Sequence, residues 1–261
     1  MISTSLKSLN AVICGASSGI GRETALAMAC QGANLFLISR SQDRLKELVS
    51  ECSNYGVRAT FCVTDLEKEE DVINAANDAL EYFSEVHILV NNSGGPPSGM
   101  LLDATLQDFL APMSRHLFAA HLLCQKFVPL MEEASYGRIL NIISTSVKEP
   151  IPGLGVSNTV RGSVAAWAKT LSKELPANIT INNLLPGYTD TDRLSSLKKN
   201  VAIKKGVSED DIASEWLASI PAQRLGDPKE LASLAAYLAS PAGGYIRGQS
   251  IAVDGGRLNS I

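Results

Sequence analysis

The chain has 261 residues, 45% of them apolar, and a formal net charge of −4. That length and apolar share are enough for one large buried core, the size at which an α/β protein forms a single domain. The acidic balance, with basic residues interspersed among acids, excludes a surface that tracks nucleic-acid phosphates, and no apolar run reaches the roughly 18 residues of a membrane helix.

The opening stretch MISTSLKSLN lacks the charged-then-apolar pattern of a secretory leader, so a cytoplasmic location is expected. Cysteines 14, 30, 52, 62 and 124 are scattered without CxxC spacing and form no ligand set with histidines 87, 116 and 121. Reduced structural thiols and no metal are the expectation.

In chain order, apolar or β-branched runs at 11–14, 34–38, 57–63, 86–90, 138–143, 179–185 and 250–253 read as buried parallel strands. Helical spacing lies between them. GRETALAMACQG (21–32) starts from a glycine-rich turn and ends at a capping glycine, and SQDRLKELVSEC (41–52) offers Ser41 as an N-cap. The alternation predicts a doubly wound parallel sheet of about seven strands in a single α/β domain. The charged, helix-prone stretch at about 190–221 interrupts the series before the last strand and reads as a substrate lid.

The first strand runs into GASSGIG, Gly15 to Gly21, and then into a helix. Gly15, Gly19 and Gly21 allow a tight turn and close backbone approach. Ser17, Ser18 and Ile20 belong to the same turn, at a helix N-terminus whose free N–H groups and partial positive charge suit a diphosphate. The same letters fit the GxSxG elbow of hydrolases, which would make Ser17 a nucleophile. That elbow needs a later histidine as base, and none follows His121. A Rossmann-type dinucleotide site is the better reading. At the end of the second strand, where an acid would bind a ribose 2′-hydroxyl, stand Ser39 and Arg40. The forked guanidinium suits a 2′-phosphate, so NADP(H) is favoured over NAD(H).

With these motifs in order, the chain resembles the short-chain dehydrogenases/reductases, particularly the 3-oxoacyl-carrier-protein reductases, over nearly its whole length. CGASSGIG (14–21) resembles the family's TGxxxGxG, NNSGG (91–95) its NNAG, GRILNIIS (137–144) the segment bearing the catalytic serine, LPGYTDT (185–191) the PG motif and YIRGQSIAVDGG (245–256) the C-terminal strand. The resemblance implies that Asp65 and Leu66 meet the adenine and that Asn92, Ser93 and Gly94 line its ribose. It places Pro186, Gly187, Thr189 and Thr191 beside the nicotinamide. A homotetramer built through the helices near 102–134 and 155–175 and the C-terminal strand is also implied, with a small carbonyl or hydroxy compound as substrate.

The chain departs from the family at the chemistry. Ser144 keeps the serine, but counting along the segment puts Ser157 at the tyrosine position, Arg161 at the lysine and His116 at the asparagine. A serine hydroxyl is far less acidic than a phenol and is not brought near neutrality by one adjacent cation. Arg161 still offers charge and donors to a ribose. Replacement proton donors are His116 and Lys148, with Tyr188 a weaker third. Leu101, Ile151, Leu154, Trp216 and Leu217 suggest an apolar substrate pocket. Two functions fit: an NADP(H)-dependent oxidoreductase with a non-standard proton path, or a cofactor-binding protein with little turnover, serving as a sensor or assembly partner.

Overall fold

A computed structural model describes residues 1–96 and 98–260. Seven parallel strands form one sheet in the order β3-β2-β1-β4-β5-β6-β7. They are β1 (Asn10–Cys14), β2 (Asn34–Ser39), β3 (Ala59–Val63), β4 (Ile88–Asn91), β5 (Gly137–Ile142), β6 (Ile179–Pro186) and β7 (Ser250–Val253). Each overlaps one of the runs read from the sequence. Side chains alternate across the sheet with the period of two that a strand imposes. Ala11 and Ile13 pack with Met28, Leu48 and Ala235 on one face, and Val12 and Cys14 with Ala76, Phe127 and Ala168 on the other.

The first face is covered by α1 (Gly19–Cys30), α2 (Gln42–Ser53) and α9 (Pro228–Ala239). The second is covered by α3 (Glu69–Phe83), α5 (Ala119–Glu133) and α6 (Gly155–Glu174). Helix α1 stops two residues before Gly32, which adopts φ +93, a left-handed conformation that suits a glycine after a helix. Ser41 does precede α2, but its side chain makes no capping hydrogen bond.

Helix α4 (Leu106–Met113) runs into α5 through one wide π turn at Ser114–Phe118. Pro112, inside α4, has no N–H to continue the regular ladder. The interruption between β6 and β7 contains α7 (Asp192–Lys205) and α8 (Glu209–Ala218), which join around Ala202, Ile212 and Trp216.

Strand order reverses between β1 and β4; Ile13 of β1 pairs with Leu37 of β2 on one side and Val90 of β4 on the other. Connections from β1 and β4 leave to opposite faces there, opening a crevice at the carboxyl ends of the strands. From β4 to the β7 edge a polar row crosses the sheet. Asn91 donates to Asn141 (2.8 Å), Asn141 to Asn183 (2.9 Å) and Asn183 to Ser250 (3.1 Å), so most of these buried amides are satisfied.

Candidate active site

The crevice is a cleft of about 590 Å³ running across the carboxyl ends of β1, β2, β4, β5 and β6. At its centre, Gly15 and Gly19 hold φ +60 and +53, where a side chain would strain the backbone. A Cβ on Gly21 would lie 2.2 Å from the Gly15 carbonyl and 2.6 Å from Asn92 Nδ2. Gly21 therefore does not line the cleft; it lets α1 rise directly behind the turn. Asn92 Nδ2 donates to the Gly15 carbonyl (3.2 Å), fixing β4 to the turn. Ser18 precedes α1 without a side-chain cap, so the first N–H groups of α1 stay available at the cleft. This cradle fits a diphosphate.

At one end Ser39, Arg40, Asp65 and Leu66 line the cleft, and Arg40 is exposed with no carboxylate within 4.0 Å among the described residues. Along the middle lie Ser17, Ile20, Asn92, Ser93 and Gly94, faced by Pro186, Gly187, Thr189 and Thr191. At the inner end Ser144, Leu154, Ser157 and Arg161 meet. Ser144 Oγ accepts the Ser146 N–H (3.0 Å), which leaves its own hydrogen free to donate into the cleft.

Arg161 is 7% exposed and donates to the Ile142 carbonyl (2.8 Å). Burial, then the neighbouring Arg193 and Arg115 guanidinium groups, push its pKa down to about 10. No carboxylate lies within ion-pair distance of it among the described residues, whereas Arg115 is paired with Glu67 and also donates to the Gly94 carbonyl (3.0 Å).

The proposed proton donors are not brought to this point. His116 is buried on the π turn and hydrogen-bonded to Ser93 Oγ, facing a small space of about 10 Å³ beside the cleft rather than the cleft itself. Burial first, then Arg161 and Arg115, hold its pKa well below 6.5, so at neutral pH it carries no extra proton to give. Lys148 is exposed and outside the cleft lining. Tyr188 stacks on Trp216 (4.7 Å between centroids, 13° between planes) under Arg257, away from the cleft. Of the five apolar residues expected to form a substrate pocket, Leu154 alone lines the cleft; Leu101 is exposed and Trp216 is spent on the stack with Tyr188.

Sequence reasoning missed Arg115 and Arg193. The signal available was slight, one arginine beside His116 and one just after the PG motif, because what brings them together is the crossing of α7 over the 94–96 loop. There Arg193 donates to the Pro96 carbonyl.

This geometry can be set beside known proteins. A family model described as enoyl-(acyl carrier protein) reductase matches residues 15–257. The chain belongs to the short-chain dehydrogenase/reductase family. It is 30% identical over 254 residues to an NADPH-dependent reductase of Bacillus subtilis, BacG, covering 96% of this chain and 98% of that one. Among solved structures, L-sorbose reductase of Gluconobacter frateurii, complexed with NADPH and L-sorbose, superimposes with a TM-score of 0.93 at 27% identity over the full length of both chains. A 7α-hydroxysteroid dehydrogenase complexed with NADH superimposes with a TM-score of 0.90 at 28% identity, covering 100% of this chain and 99% of that one. NADPH and NADH thus both occur among the similar short-chain dehydrogenases/reductases. No helix among the described residues is long and apolar enough to cross a membrane.

Proposed function

We propose that this protein is an NADP(H)-dependent oxidoreductase acting on a small carbonyl or hydroxy compound by a proton path that uses no tyrosine. The observation that carries this reading is the continuity of one cleft from Arg40, past the glycine cradle, to Ser144, Ser157 and Arg161. When bound, the cofactor supplies or accepts the hydride. Ser144 orients the carbonyl by donating its hydroxyl hydrogen, and the Arg161 charge stabilises the developing alkoxide in a partly dry site. Ser157, only half-buried, passes a proton from solvent to that alkoxide. Thr191 and the first turns of α7 form the side of the lid that faces the cleft.

Binding without appreciable turnover is the second reading. It is favoured by a specific observation: the buried, neutral His116 and the missing phenol leave no group near neutrality to donate a proton. In either case the exposed Leu106 and Leu110, four residues apart on α4, with exposed Leu102 in the turn before it, support burial of this surface in a homotetramer. A cytoplasmic setting suits the cofactor and the free thiols.

Calorimetric titration with NADPH and NADH, beside a turnover screen on ketones and alcohols, tests the proposal. One charge-assisted contact to the 2′-phosphate is worth about ten- to hundredfold in affinity, so Arg40→Ala should lose that factor for NADPH and little for NADH. Equal affinity for the two cofactors in the wild type, or no loss in Arg40→Ala, would remove Arg40 from the site.

A further inference from the structure

The inner end of the cleft carries more positive charge than the cofactor reading uses. Arg193, in the first turn of α7, reaches across to the Pro96 carbonyl, and a Cβ built on Gly95 would lie 3.3 Å from Arg193 Nη2 and 3.7 Å from Arg161 Nη2. Both guanidinium groups therefore address one point, beside Ser157 and Leu154 in the same cleft. No carboxylate among the described residues pairs with either. The nearest in sequence, Asp192, turns outward to Arg44 (4.0 Å), and Glu67 is taken by Arg115. Two like charges held together cost free energy that an anion would recover. The diphosphate cradle is already formed by the Gly15–Gly21 turn and the start of α1. Of these two guanidinium groups without a carboxylate partner, the proposed function assigns Arg161 to the reacting oxygen, which leaves the charge of Arg193 for a singly charged group.

We infer that the substrate is a carbonyl or hydroxy compound bearing a carboxylate, which Arg193 anchors at the inner end of the cleft while Ser144 and Arg161 hold the reacting oxygen. This rests on the oxidoreductase reading above and names the class of compound that site accepts. The fork of a guanidinium matches the two oxygens of a carboxylate, and Leu194 and Leu197 supply apolar contact for the carbon chain alongside. Substrate recognition then resides in α7, the same element that lines the cleft beside the 94–96 loop.

The test needs no turnover. Protein saturated with NADP⁺ is titrated calorimetrically with 2-oxopentanoate and 4-oxopentanoate, each beside its methyl ester. At least one acid should bind about tenfold or more tightly than its ester, the worth of one charge-assisted pair. Arg193→Gln should erase that difference without changing NADP⁺ affinity, and Arg193→Lys, which keeps the charge, should restore part of it. Equal binding of acid and ester, or no binding of either acid, overturns the inference while leaving the cofactor reading intact. A loss of NADP⁺ affinity in Arg193→Gln also overturns it, by assigning Arg193 to the cofactor diphosphate. Failure of the wild type to bind NADP⁺ would instead remove the oxidoreductase reading, and this inference with it.

Discussion

Replacing His116 by asparagine should flatten the acid limb of the stability curve. In the fold His116 is buried against Ser93 and faces Arg161 and Arg115; burial first, then these two charges, hold its pKa well below the ordinary 6.5. The unfolded chain takes up a proton near that ordinary value and the folded one does not. Between the two pKa values the unfolded state thus binds more protons, and stability falls as pH falls. The limiting slope is about 1.4 kcal/mol per pH unit, and integration from pH 6.5 to about pH 5.5 gives about 1 kcal/mol from this one residue. In a protein of this size that is about 2–4 °C in melting temperature. Melts of the wild type and His116→Asn across this range, compared as differences, isolate the effect. His87, also lowered by burial, slopes the same way in both proteins and cancels. Parallel curves would show that His116 titrates normally, and the case against it as a proton donor would fall with them.

Gly21→Ala should abolish NADPH binding or cost several kcal/mol of stability, since a Cβ there cannot coexist with the Gly15 carbonyl; calorimetry and urea melts check it. Leu106→Glu with Leu110→Glu should shift light-scattering mass toward a smaller species without lowering monomer stability, because both side chains are exposed in the isolated chain.

Strands were legible because parallel strands buried on both faces are largely apolar, as the runs at 11–14 and 34–38 are, whereas the buried Thr180, Asn182 and Asn183 of the run at 179–185 are polar. The glycine turn was equally legible, since its φ values and the closeness of Asn92 leave no room for side chains. The inner end of the cleft was not. His116 looks titratable in the sequence, and only its burial among Arg161, Arg115 and Ser93 makes it a poor donor. Trp216 and Tyr188 read as site residues, but they find each other and close α8 onto the PG loop instead. Arg193 was invisible because its place depends on where α7 crosses a loop nearly a hundred residues earlier in the chain. Such meetings are set by tertiary packing, which no local pattern encodes.

The retained cofactor site and the altered proton donor can be separated in one measurement: NADPH affinity and stopped-flow NADPH oxidation with a set of ketones, in the wild type and in Ser157→Tyr combined with Arg161→Lys. Both proteins should bind NADPH. The wild type should reduce ordinary ketones slowly, and the double variant should gain up to about 10²–10⁴ in rate, the usual worth of a positioned acid, with each single change doing less. A fast wild type that is unaffected by Ser157→Ala and collapses in His116→Ala would contradict this, and would place the acid at His116.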